Sequence, residues 1–154
     1  MPPPARAIRS ATSGDAPAWR DLRCALWPHR PADEHAREIA RLLDQPHRYA
    51  NFVAIDGDGT VLGFAEAALR HDYVNGCDTA PVIFLEGLYV IPAARRQRIA
   101  HALCAAVGAW GAQRGCVEFA SDAALGNAAA HALHRALGFD ETERVVFFRK
   151  RLGR

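Results

Sequence analysis

A chain of 154 residues is long enough to bury one full core, and a composition half hydrophobic and 23% charged is ordinary for a single globular domain. A formal net charge of +2 is too small for a nucleic-acid-binding face, and no apolar run reaches bilayer-spanning length. Cys24, Cys77, Cys104 and Cys116 show no CxxC spacing, so no zinc site, other metal site or redox motif is expected.

Residues 1–6 read as a disordered Pro-rich tail, and one domain is expected over residues 7–152. No hydrophobic segment follows Met1-Pro2-Pro3-Pro4, which argues against a signal peptide and for a cytoplasmic, reduced protein. Ala7-Ile8-Arg9 suggests a short first strand. Thr12, Ser13 and Asp15 offer caps for a helix marked by Trp19, Leu22 and Leu26, which stops before Pro28. A second helix is expected from about Ala32 to Leu43, with Ile39, Leu42 and Leu43 inward. Tyr49 to Ile55 and Thr60 to Leu69 read as two strands joined by the hairpin turn Asp56-Gly57-Asp58-Gly59. A polar loop, Arg70 to Pro81, leads into the apolar run Val82 to Ile91, whose continuity predicts a central strand buried on both faces. Gly87 inside it points to a bulge or a close approach.

Ile99, Leu103, Val107 and Trp110 then recur at helical spacing up to about Gln113, and Gly115 ends that helix. Cys116 to Ala120 is the next strand, parallel to the central one because a helix crosses between them. A last helix is expected over Ala124 to Leu137, with Ala130, Leu133 and Leu137 inward, and a last strand over Glu141 to Lys150. The order β-α-α-β-β-β-α-β-α-β defines an α+β domain: a central mixed β-sheet flanked by four helices.

Between the central strand and its helix lies Arg95-Arg96-Gln97-Arg98-Ile99-Ala100. Unpaired N–H groups at a helix start, with three arginines beside them, form a site for a small polyanion such as a pyrophosphate. A solvated basic turn is the plainer alternative. The stretch resembles motif A of the GCN5-related N-acetyltransferase (GNAT) superfamily, Arg/Gln-x-x-Gly-x-Gly/Ala after a strand, with Arg98 in place of the middle glycine. The resemblance implies the GNAT acyl-CoA N-acyltransferase fold and acetyl-CoA as co-substrate. It implies that Leu88, Tyr89 and Val90 hold the pantetheine arm at a splay between strands. Arg95, Arg96, Gln97, Arg98, Ile99, Ala100 and His101 would hold the pyrophosphate, and Asn127 would contact CoA. Asn127 capping the last helix is the local alternative.

Five further blocks resemble the aminoglycoside 6'-N-acetyltransferases of that superfamily. They are Leu26-Trp27-Pro28, His71 to Gly76, Phe84 to Gly87, Phe119 to Ala124 and Ala136 to Val146. The implied activity is direct transfer of acetyl, within a ternary complex, to the 6'-amino group of an aminoglycoside antibiotic. Such a polycation calls for an acidic site with aromatic walls. By the resemblance Glu86, Asp122 and Glu143 face the drug's ammonium groups, and Trp27, His71 and Tyr73 line the same pocket. Read locally, Glu86 could pair with an arginine, Asp122 could cap the last helix, Glu143 could be an exposed strand charge, Trp27 a core aromatic and Tyr73 a plain loop residue.

Asp122 and Glu86 are the candidates for general base. Leu88 or Tyr89 could offer an oxyanion N–H, and His134 could serve as the acid that protonates the leaving thiolate. A homodimer is expected, with Phe147 and Phe148 as a hint of its interface, and neither nucleic acid nor membrane as partner. The alternatives are an acetyltransferase for another amine, such as a polyamine or a protein N-terminus, and a non-catalytic acyl-CoA-binding module.

Overall fold

The computed structural model describes residues 6–153. Of the expected Pro-rich tail, residues 1–5 lie outside the described residues. Strand β1 (Ala7–Ser10) is followed by a 3-10 turn, Ser13–Asp15, and by helices α1 (Ala16–Leu26) and α2 (Ala32–Leu43). Strands β2 (Tyr49–Ile55), β3 (Val61–Arg70) and β4 (Val82–Val90) come next. Helix α3 (Ile99–Ala112), strand β5 (Phe119–Ser121) and helix α4 (Ala128–Ala136) complete the regular structure.

The sheet order is β1-β2-β3-β4-β5; its first four strands are antiparallel and β4 pairs with β5 in parallel. The parallel step follows from α3, since a crossover helix returns the chain to the same end of the sheet. Side chains alternate across the strands, so each face has its own core. Val53 and Phe64 face Trp19, Leu22 and Ile39 of α1 and α2. Ala54, Ala65 and Ile83 face Leu103 and Val107 of α3. Full burial of a side chain such as Phe64 stabilises the fold by roughly 1.5–3 kcal/mol.

Three expectations need correction. The strand predicted over Glu141 to Lys150 is absent; residues 139–153 form no regular element, and Phe147 and Phe148 are 82% and 91% exposed. The strand pattern is real, but a strand needs an edge to pair with, and among the described residues the segment has no ladder partner. The last helix starts at Ala128, because Asn127 caps it by accepting from the N–H of Ala130 at 3.1 Å. Of its expected inward stripe only Leu137, just past the helix, packs against the core; no residue of α4 is buried and Leu133 is 39% exposed.

Candidate active site

The site begins with a register slip. Glu66 pairs with Gly87 and Ala67 with Leu85, so Glu86 is one residue too many on β4. A bulge re-aims the extra residue, and Glu86 is accordingly exposed in a strand whose neighbours Leu85 and Gly87 are buried. Its carboxylate accepts a hydrogen bond from Arg70 Nη2 at 2.8 Å, each side chain being 41% exposed. Glu86 therefore pairs with an arginine, as its local reading has it, and at the same time faces a cleft.

That cleft is a cavity of about 930 Å³ between the α1–α2 turn, the end of β3 and the loop that follows β3. Trp27, His71, Tyr73 and Glu86 all line it. Asp122 and Glu143 are not among its lining residues: Asp122 is exposed just past β5, and Glu143 lies on the exposed C-terminal arm. Asp122 does not cap α4 either, since Asn127 does. Nor is the wall simply acidic. Glu38, Glu66, Asp72 and Glu86 stand there with five arginines: Arg23, Arg30, Arg41, Arg48 and Arg70. Three of these form ion pairs with carboxylates of the same wall, Arg23 with Glu66, Arg41 with Glu38 and Arg70 with Glu86.

What holds Trp27 has no mark in the sequence. Its ring stacks on His35 with centroids 6.3 Å apart, meets Phe64 edge-on, and lies under the Arg23 guanidinium at 4.7 Å. His35 Nε2 lies 3.2 Å from the carbonyl of Trp27, and Arg23 Nε donates to His35 Nδ1 at 3.1 Å. A carbonyl only accepts and Nδ1 is accepting, so His35 carries its proton on Nε2. Arg23 also pairs with Glu66, which accepts from the Trp19 indole N–H at 2.7 Å. Glu66 is 4% exposed. Burial pushes its carboxyl up, while Arg23 and the Trp19 indole pull the other way. The partners lie 12 to 47 residues apart in sequence, and only a buried acid in the alternating strand Val61–Arg70 could have pointed to them.

On the other side of β4 the parallel ladder stops at Leu85 opposite Ser121. Beyond it Leu88, Tyr89 and Val90 pair with Ala65, Phe64 and Gly63 of β3, and not with β5. The N–H of Ile91 bonds Leu62 at 2.9 Å, and peptide groups alternate along a strand. Leu88 and Val90 therefore turn toward the open side and Tyr89 toward β3. The carbonyl of Val90 already accepts from Arg95 Nε at 2.9 Å, with the Arg95 guanidinium 5.5 Å from the Tyr89 ring centre.

The basic turn follows a 3-10 turn, Pro92–Ala94. Arg96 and Arg98 both adopt left-handed backbone, φ 61° and 60°, and Arg98 is the N-cap of α3. Such a conformation costs an L-residue roughly 1–2 kcal/mol. Arg98 thus takes the backbone shape that the motif glycine would take. The first-turn N–H groups of α3 begin at Ile99, whose buried side chain anchors the helix, and continue at Ala100 and His101. Gln97 bonds Arg6 and the Ala93 carbonyl, and His101 Nε2 lies 3.0 Å from the Ala136 carbonyl, tying α3 to α4. Free N–H groups beside exposed Arg96 and Arg98 suit a diphosphate. Close to the divergence of the strands, His134 lies within hydrogen-bond distance of Ser121 and Ala130. Among the described residues, no three His, Cys, Asp or Glu side chains are grouped to hold a metal ion.

A sheet that diverges beside a basic helix start, with a cavity at the bulge of the same strand, defines an acyltransferase of the acetyl-CoA type. Residues 16–139 match the acetyltransferase (GNAT) family model. The chain is 48% identical over 144 residues to the aminoglycoside N(6')-acetyltransferase type 1 of Salmonella enteritidis, covering 94% of this chain and 98% of that one. The solved structure of AAC(6')-Iy in complex with CoA superposes with a TM-score of 0.93 at 46% identity, covering 99% of both chains. AAC(6')-Iy in complex with the bisubstrate analogue CoA-S-monomethyl-acetylneamine gives 0.90 at 47% identity, covering 96% of this chain and 99% of that one. The chain belongs to the acetyltransferase (GNAT) family and, within it, to the aminoglycoside N(6')-acetyltransferases.

Proposed function

We propose that this protein transfers the acetyl group of acetyl-CoA to the 6'-amino group of aminoglycoside antibiotics, and so confers resistance to them. The observation that carries the reading is one strand serving two ligands. The bulge of β4 aims Glu86 into the cavity beside Trp27, His71 and Tyr73, while a few residues on the same strand leaves β5 and runs to the basic turn. A polycation held at Glu86 and a thioester laid along Leu88 and Val90 would meet where the strands part.

The amine attacks the thioester directly. An alkyl ammonium has a pKa near that of lysine, ~10.4, so freeing the nucleophile at pH 7 costs on the order of 4–5 kcal/mol. Glu86 binds the ammonium groups and can take that proton through water; the N–H of Leu88 is the oxyanion donor, since Tyr89 turns to β3. Asp122 and Glu143 reach the drug from outside the cavity wall described for a single chain. Arg96, Gln97, Arg98 and the first-turn N–H groups of α3 take the pyrophosphate. One domain, residues 7–152, carries both sites.

The working form is a homodimer. The exposed Leu133 of α4 and the exposed run Val145-Val146-Phe147-Phe148 support this, because an apolar arm without a ladder partner among the described residues of its own chain is open to pairing with a second copy. The cytoplasm, where acetyl-CoA is made, is the compartment. No helix among the described residues is long and apolar enough to cross a membrane.

The test is thiol release from acetyl-CoA with tobramycin or kanamycin, with mass spectrometry to place the acetyl group. Drug-dependent release with modification at the 6' nitrogen is expected, and Glu86→Gln should raise the drug KM. Release with polyamines or peptide N-termini alone would overturn the reading.

A further inference from the structure

Ser121 is the last residue of β5 in the parallel ladder, and the two strands part directly after it. Its hydroxyl oxygen lies 2.8 Å from Nε2 of His134 and 3.4 Å from the Leu85 carbonyl. On the other side of the ring, Nδ1 of His134 lies 2.6 Å from the carbonyl of Ala130, one turn back along α4. A carbonyl can only accept, so Nδ1 holds the proton. With Nδ1 protonated, the Nε2 of the neutral ring is a lone pair, and the single hydroxyl proton of Ser121 goes to it at 2.8 Å in preference to the more distant Leu85 carbonyl at 3.4 Å. The ring is also held in place: Phe139 stands edge-on to it with centroids 5.4 Å apart and packs in turn on Phe119 at 5.0 Å. An imidazole whose Nδ1 faces a carbonyl and whose Nε2 faces a hydroxyl has the arrangement of a base that works through that hydroxyl.

We propose that Ser121 and His134 form a proton relay for acetyl transfer, with Ser121 as a further catalytic residue; the relay rests on the function proposed above. As the neutral amine forms its bond to the thioester carbon, the nitrogen must shed one proton. That proton passes to Ser121 Oγ while the hydroxyl proton moves to His134 Nε2. The carbon–sulfur bond breaks, and the thiolate takes a proton from Ser121 as the imidazolium returns one to Oγ. One proton has moved from nitrogen to sulfur, and both side chains end as they began. The location fits the task, because Ser121 stands opposite Leu85 and next to the bulge that aims Glu86 at the amine. A purely structural tie between β5 and α4 would need no particular tautomer and would leave turnover unchanged once the fold is intact.

The experiment compares Ser121→Ala, His134→Gln, their double variant and Ser121→Thr under saturating tobramycin and acetyl-CoA, with thermal melts to check folding. General acid–base steps contribute typically about 10²–10⁴-fold. Each single variant should lower kcat at least ~10-fold with both KM values within ~2-fold. The double variant should be no slower than the slower single one, and the threonine variant should keep most of the rate. A smaller kcat loss in the alanine variant, losses that multiply in the double, or a change confined to KM would overturn the relay. If the alanine variant fails to fold, the threonine and glutamine variants decide. Nitrogen-15 shifts of His134 in the resting protein provide a readout independent of activity: a proton on Nδ1 is expected, and one on Nε2 sinks the relay. Failure of the wild type to acetylate any aminoglycoside would instead sink the proposed function, and the tautomer would still report whether the pair is built as described.

Discussion

The indole of Trp27 lies on the backbone of Gly87: a β-carbon there would stand 2.5 Å from Trp27 Cη2 and 2.9 Å from Cζ2. The bulge that exposes Glu86 and the glycine that admits Trp27 are neighbours, so one short stretch of β4 shapes both the acid and the aromatic wall of the cavity.

Gly87→Ala should therefore push the indole off the strand. Overpacking of this kind costs typically about 1–3 kcal/mol. The expected outcome is a higher aminoglycoside KM with a smaller effect on the KM for acetyl-CoA, read from steady-state kinetics with each substrate varied.

Arg98→Gly should stabilise the protein. Arg98 is held at φ 60°, where glycine has no β-carbon penalty. The gain should be ~1 kcal/mol, the relieved strain less glycine's extra unfolded-state freedom. Thermal melting should shift upward by a few degrees, while acetyl-CoA titration should show weaker binding because one cation of the pyrophosphate site is lost. A lower melting point would mean that the Arg98 side chain contributes more than its backbone costs.

Arg23→Met should be severely destabilising. It leaves the carboxylate of Glu66 buried without its cation and frees His35 and Trp27 at once. Removing one partner of a buried pair costs about 3–5 kcal/mol. Adding Glu66→Leu should recover part of that loss, because no buried charge then remains. Denaturant unfolding of the four proteins of the cycle is the measurement.

Asp15 gives the acid response a sign. The Arg9 guanidinium, at 2.7 Å and 2.8 Å, is the main reason its carboxyl lies below the usual range; the Thr12 N–H adds to it and burial opposes. A folded-state value below the unfolded one stabilises the fold above the unfolded value, ~3.9, and that contribution fades as pH falls through it toward the folded value. Asp15→Asn should cost about 1 kcal/mol near pH 7, since Arg9 is partly exposed, and progressively less below pH ~4. Urea midpoints at both pH values check this.

Phe147→Ser with Phe148→Ser should convert a homodimer to monomers in sedimentation velocity. A monomeric wild type would remove the dimer from the proposed function.

Residues close in the chain made most of the fold readable. Helix spacing in Trp19-Leu22-Leu26 and Ile99-Leu103-Val107, the Asp56–Gly59 turn and the apolar run of Val82 to Val90 each report a local preference that the tertiary fold keeps. The basic turn of Arg95 to Arg98 was legible for the same reason, and Trp27, His71, Tyr73 and Glu86 were marked by resemblance before the cavity brought them together. Three things were decided only by tertiary structure. Glu86 is a bulged residue because of the register of two strands, which neither strand specifies alone. Glu66, Arg23, Trp19 and His35 become one network because burial leaves a carboxylate no stable alternative to partners far away in sequence. The segment Glu141 to Lys150 has the β-branched and aromatic run of a strand in Val145-Val146-Phe147-Phe148 but, among the described residues, no strand's bonds. A pattern of side chains states which conformation a segment prefers; the hydrogen bonds that make it a strand belong to whatever edge lies beside it.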